Sequence, residues 1–505
     1  MTRILVCALT VVACGQRPAV EDGGSAGGTA GAGGGTAGGG AGGADTDGGV
    51  DAWVPPDCAQ HSLRDVMIPM RDGQSLSAFV RAPVEPACRL PTVLIQTPYN
   101  KETARTMWFA DGGTGPLFAS TDFAFVVVDW RGFFGSTPAR VVGQQPYGED
   151  GYDTVEWIAT QPFSDGNVGT WGVSALCVQQ YRTAVMRPPH LKAAVPIMCE
   201  MNQAYDQYYP GGVLRREYFA FISAYFGAGL ITSAPYRTAL WVAAEQLLSA
   251  TDVQAPMMLV AGWYDLFPAG QLRTWSQLAS TSPRAGDHRL MIGGWIHFAA
   301  GGEQAGGRAL DAEELQYIDS AGLIQRDSLA FFDLHLRGLS SSPAAQWQAV
   351  RYAQSGAWRS APAWPPATAS ARDLFLAADG GLLDSAPGAA QRSFVYSPAD
   401  PSPTLGGGTL LPTLKHGPTD QSAIAARSDA VTFTTPALTQ PLSIAGRLGL
   451  HLEVSTSAAD TDFSARLTDV SPDGGQLLIA EGIRRLKLRG SYAAPQAVVA
   501  GTRYG

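Results

Sequence analysis

The sequence predicts an α/β body: a mostly parallel sheet with a helical cap inserted, followed by an all-β domain. Three observations predict it. Short, wholly apolar strands alternate with helical segments between residues 92 and 198. An aromatic-dense stretch with helical spacing and no strand signal then fills residues 200–250. Beyond residue 340, Pro- and Ser-rich turns separate short strands, with no helical period.

A length of 505 residues implies two or three domains rather than one core. The chain is 45% hydrophobic and 16% charged, a globular balance. Its net charge of −9, without any basic cluster, argues against a nucleic-acid partner. There is no C-x-x-C or H-E-x-x-H pattern, so no metal or other cofactor is expected.

Residues 1–13 read as a signal peptide of the lipoprotein type. Arg3 precedes an apolar run too short to span a bilayer, which ends in Val11-Val12-Ala13-Cys14. Cys14 would then carry the lipid, and an ordinary secretory leader is the alternative. Residues 14–52 read as a tether, in which Gly23 to Gly49 is nearly all Gly, Ala, Thr and Asp with no side chains for a core. The expected location is exported, either lipid-anchored facing the periplasm or cell surface, or secreted, with the lipid as its one membrane contact. The oligomeric state is not encoded in any motif.

The remaining elements follow in order. Residues 66–70 and 75–80 form a hairpin around Asp72-Gly73. Residues 92–96, 123–129, 168–173 and 193–198 are strands, and residues 149–161 and 175–186 are helices. Together, residues 53–199 make the first part of the α/β body, and 200–250 its cap. The second part is 251–340, with strands at 257–261 and 289–292 and one long helical stretch at 312–338. Residues 341–505 form a β-sandwich of the jelly-roll type, with strands at 431–433, 450–454 and 464–467. Cys58, Cys88, Cys177 and Cys199 are an even set in an oxidising compartment. Three pairings are open, of which Cys58–Cys88 with Cys177–Cys199 is favoured.

Three motifs carry the chemistry: Gly172-Val173-Ser174-Ala175-Leu176-Cys177, Gly262-Trp263-Tyr264-Asp265 and Gly293-Gly294-Trp295-Ile296-His297. Each candidate side chain ends a predicted strand, and Ser, Asp, His is the chain order of α/β-hydrolase triads. A serine hydroxyl needs a base to take its proton, and the base needs an acid to fix its tautomer. Ser174, His297 and Asp265 suit those three roles. The oxyanion would meet the N–H of Ala175 and, as a second candidate, Tyr99 in Thr97-Pro98-Tyr99. A buried structural tyrosine is the competing reading of Tyr99. The other histidines have poorer settings: His61 precedes the fold, His288 opens a strand, and His335 sits in a helix.

These motifs, with Asp129-Trp130-Arg131-Gly132, Phe134-Gly135-Ser136, Gly406-Gly407-Gly408 and the run Asp460–Val470, resemble the X-Pro dipeptidyl-peptidase and cocaine esterase family of hydrolases. The resemblance spans about residues 60–490. It implies that Tyr99 donates its hydroxyl to the oxyanion, and that Phe267 contacts the acyl group. The chain departs from the family motif G-x-S-Y-x-G at Ala175 and Cys177. It also stops at Gly505, before the last jelly-roll strands would be expected, so exposed edges are expected.

Asp265 is followed by Leu266-Phe267-Pro268, without the acid that would meet a substrate ammonium. Glu200 and Asp206 are the remaining anionic anchors for a free N-terminus, and both read as solvated. The favoured activity is hydrolysis of small acyl esters or amides, ahead of an X-Pro dipeptidyl-peptidase. An inactive surface-binding protein is the third reading.

Overall fold

The computed structural model describes residues 7–11, 58 and 60–505, apart from 227–228, 300–303, 306–307, 320, 355 and 412. The leader outside 7–11, the tether and Cys14 lie outside the described residues. Alternation of side chains around the turn at Asp72-Gly73 pairs β2 (His61–Pro69) with β3 (Ser75–Pro83) along their whole length. β3 then pairs antiparallel with β5 (Ala124–Asp129). The strands β4 (Leu90–Thr97) and β5 are buried at every position, which is why they read as unbroken apolar runs.

From β5 the sheet continues through β4, β6 (Ser164–Val173), β7 (Leu191–Ile197), β8 (Met258–Tyr264) and β9 (Arg289–Ile296), all parallel. One face packs on a core that includes Ile158, Tyr181 and Leu278, and the other on one that includes Trp171, Phe331 and Phe332. Parallel order brings the C-terminal ends of β6, β8 and β9 to one edge, where the three motifs lie.

Four expectations change. The strands Val350–Gln354 and Ala357–Ala361 belong to the central sheet beside β9, so the α/β body extends past residue 340. The stretch 312–338 is two helices, Ala312–Leu315 and Leu323–His335. Gly322, at φ 64°, breaks the run, and the Asp319 carboxylate restarts it by accepting the N–H groups of Leu323 and Ile324 at 2.9 and 2.7 Å. Residues 450–454 form no strand, since only Val454 pairs, with Tyr504. His61 opens β2 rather than preceding the fold.

The cap is made of the helices Tyr205–Tyr208, Arg216–Phe226, Gly229–Ser233 and Ala239–Glu245. The β domain has a sheet in the order Val431–Thr434, β1 (Cys7–Val11), Asp462–Val470, Gln476–Arg485. The backbone of β1, part of the leader expected above, runs parallel to both neighbours. Disulfides join Cys58 to Cys88 and Cys177 to Cys199.

Candidate active site

β6 ends at Val173 and the helix Ala175–Val185 begins two residues later, leaving only Ser174 to turn the chain. Ser174 does so at φ 60°, ψ −121°, a conformation L-residues rarely adopt. Its N–H donates to the Ile197 carbonyl at 2.9 Å, and its own carbonyl accepts from Cys177 and Val178 at 3.0 and 3.2 Å. This strained elbow lifts the side chain above the sheet edge. Ala175 is the first helical residue, so its N–H has no acceptor inside the helix.

Asp265 follows β8 and His297 follows β9. His297 Nδ1 is 2.7 Å from Asp265 Oδ1, which also accepts the Leu266 N–H at 2.6 Å. The two side chains are 6% and 1% exposed, so the pair is shielded from competing water. A proton on Nδ1 leaves Nε2 as the basic nitrogen. Gly262 lets the strand ends converge, since a Cβ there would stand 2.4 Å from the Trp295 carbonyl oxygen. His288, by contrast, is consumed structurally. Its Nδ1 accepts the Met257 N–H, its Nε2 meets Ser282 Oγ, and burial lowers its pKa to about 4.

Ser174, Ala175, Tyr99 and Phe267 line one cavity of about 660 Å³. The His297 ring centre is 5.6 Å from that of Phe267. Tyr99 leaves β4 through a turn in which its N–H donates to Thr97 Oγ1 at 2.9 Å. Asp129 ties two motifs together, accepting the N–H of Lys101 at 2.7 Å and of Gly135 at 3.1 Å. From the cap, Tyr208, Tyr218 and Phe221 reach the cavity, whereas Tyr205, Tyr209 and Trp241 stack on one another.

Glu200 lines the cavity but is not solvated as expected from sequence. It is buried, and Arg273 holds it at 2.8 Å while also holding Asp206 at 2.8 Å. Burial pushes its pKa up to about 7, against the opposing pull of Arg273. Sequence reasoning missed this pair, and it missed Leu410, which reaches the cavity from the β domain. The neighbouring Gly406-Gly407-Gly408 run was the available signal.

The sequence matches the X-Pro dipeptidyl-peptidase (S15 family) over residues 72–237 and 225–299. It matches the X-Pro dipeptidyl-peptidase C-terminal non-catalytic domain over residues 338–505. Cocaine esterase of Rhodococcus sp. (strain MB1 Bresler) is 31% identical over 510 residues, covering 87% of this chain and 86% of that protein. The chain belongs to the X-Pro dipeptidyl-peptidase and cocaine esterase family of serine hydrolases. The fold is shared with an α-amino acid ester hydrolase, at a TM-score of 0.73 and 23% identity over 90% of this chain and 87% of that one. An aminopeptidase from a marine sediment archaeon, Thaumarchaeota archaeon, has a TM-score of 0.71 and 22% identity over 91% and 87%.

Proposed function

We propose that Ser174, His297 and Asp265 form a catalytic triad that hydrolyses small acyl esters or amides through an acyl-enzyme. The observation that carries this reading is the buried His297–Asp265 hydrogen bond beside a cavity lined by the strained Ser174. His297 Nε2 takes the Ser174 proton as Oγ attacks the carbonyl carbon, and then delivers it to the departing alcohol or amine. Asp265 fixes the tautomer and stabilises the imidazolium. The Ala175 N–H and the Tyr99 hydroxyl donate to the oxyanion. Water, deprotonated by the same histidine, releases the acid.

An esterase or acylase is favoured over an X-Pro dipeptidyl-peptidase because Glu200, the acid that lines the cavity, is already engaged by Arg273. A substrate ammonium would have to displace that guanidinium. The apolar side chains of Phe267, Leu410 and Phe221 suit the hydrocarbon part of an acyl group rather than an ammonium.

Export as a lipoprotein processed at Cys14 is part of the proposal, supported by the apolar run and the Ala13-Cys14 junction. Processing there would remove β1 and leave Val431–Thr434 and Asp462–Val470 without the strand between them.

The test uses a fluorophosphonate probe on the protein and on Ser174→Ala, with nitrophenyl acyl esters assayed beside a Gly-Pro nitroanilide. Labelling lost in the variant with ester turnover alone supports the proposal. Preferred turnover of the Gly-Pro substrate would move the peptidase first. No labelling of folded protein would favour an inactive binding role.

A further inference from the structure

Part of the cavity is lined by the helix that Ser174 opens, Ala175–Val185. Ala175, Val178 and Arg182 all face it, at the i, i+3, i+7 spacing of one helix face. Arg182 therefore sits two turns from the elbow, about 10 Å along the axis. Its guanidinium carbon is 5.1 Å from the ring centre of Tyr147 and 5.7 Å from that of Trp130, and both rings also line the cavity.

No carboxylate or carbonyl bonds to this guanidinium among the described residues. The titratable groups that face it are the phenols of Tyr147 and Tyr208. The other charges of the cavity are differently placed. Arg131 is neutralised by Asp150 at 2.6 Å and Asp72 at 2.8 Å, and Glu200 by Arg273. Arg140, exposed at the mouth, likewise has no ion-pair partner among the described residues, so it adds to the positive potential rather than cancelling it.

A half-buried cation without an anion is costly, and ring faces offset only part of that cost. Burial accordingly holds the Arg182 pKa below the ordinary arginine value. Such a site gains most from a ligand that brings a negative charge to the guanidinium. Arginine meets a carboxylate through two parallel N–H donors, which fixes orientation as well as position.

We infer that the substrates of this site carry a carboxylate remote from the scissile bond, and that Arg182 binds it. The inference rests on the proposed role of Ser174. The carboxylate belongs to the part of the substrate that lies along the helix Ala175–Val185, whether that part is the acyl chain or the leaving group.

Two matched pairs of esters test it: mono(4-nitrophenyl) adipate against 4-nitrophenyl hexanoate, and 4-acetoxybenzoate against phenyl acetate. In at least one pair the wild-type protein is expected to favour the carboxylate ester about tenfold or more in kcat/KM. Arg182→Met should remove that preference, leave neutral-ester turnover within about threefold, and keep or raise the melting temperature. Arg182→Lys should recover part of the preference, losing the bidentate geometry but not the charge. Equal kcat/KM within both pairs, or a preference untouched in Arg182→Met, overturns the inference. So does a variant that melts lower and loses both substrates alike, since that marks Arg182 as a packing group. Fluorophosphonate labelling of Ser174 in the same samples separates these results from failure of the hydrolase reading, which would overturn both.

Discussion

Gly408 of the β domain packs directly on Asp265: a Cβ at Gly408 would lie 2.3 Å from the Asp265 carbonyl oxygen. The adjoining Gly407 exchanges two backbone hydrogen bonds with Gly417, at 2.8 and 3.1 Å. The far arm of that bridge reaches the other half of the pair, since a Cβ on Gly417 would be 3.4 Å from Ile296, the residue before His297. Between them, the His416 ring stands 5.3 Å from Phe298, whose ring is 5.7 Å from that of His297. The β domain thus braces both Asp265 and His297.

Gly408→Ala should therefore push the Asp265 turn aside. A displacement near 1 Å at a catalytic group costs roughly 10²-fold, so kcat is expected to fall about 10- to 100-fold with KM little changed. Gly449→Ala is the matched control in the same domain, because nothing lies within 4 Å of its Cβ position. Steady-state kinetics of the two variants check this, and equal activity would show that the brace carries no positioning role.

The Cys177–Cys199 disulfide joins the helix that follows Ser174 to the strand end that precedes Glu200, closing a separation of 22 residues. A cross-link of that span stabilises by about 3 kcal/mol through the unfolded chain. The double variant Cys177→Ala, Cys199→Ala should lose stability of that order in urea unfolding. Because Cys199 lines the cavity with Ser174, fluorophosphonate labelling should slow as well.

The raised pKa of Glu200 has a stability signature. Between its usual value of 4.5 and about 7, the folded protein keeps a proton that the unfolded chain has released. Stability from this group therefore falls as pH rises through that window and is flat above it, with a total change on the order of 3 kcal/mol. Glu200→Gln should flatten the slope. Denaturant unfolding at several pH values between 4 and 8, compared with the wild type, provides the measurement.

Much of this site was legible because its determinants are local. Ser174 lies where an apolar strand meets a helix, and Asp265 and His297 each close a strand, so parallel order alone brings them to one edge. What stayed hidden depends on distant partners. Glu200 looked solvated because Arg273 is 73 residues away. The Gly406–Gly408 run had no visible purpose until Asp265, over a hundred residues earlier, was seen beneath it. Arg182 reads as an ordinary helix arginine, and only the surrounding groups reveal a cation without an anion. The run 312–338 misled for the opposite reason: its helical period continues across Asp319 and Gly322, where one side-chain cap and one positive φ stop it.

The most direct test of the central claim is the reaction of the protein with a fluorophosphonate probe, followed by peptide mass mapping, in wild type, Ser174→Ala and Asp265→Asn. The account predicts one adduct on Ser174, none in Ser174→Ala, and labelling and ester turnover slowed by roughly 10⁴-fold in Asp265→Asn, whose histidine holds the wrong tautomer. An adduct on another serine, or wild-type rates in Asp265→Asn, would contradict it.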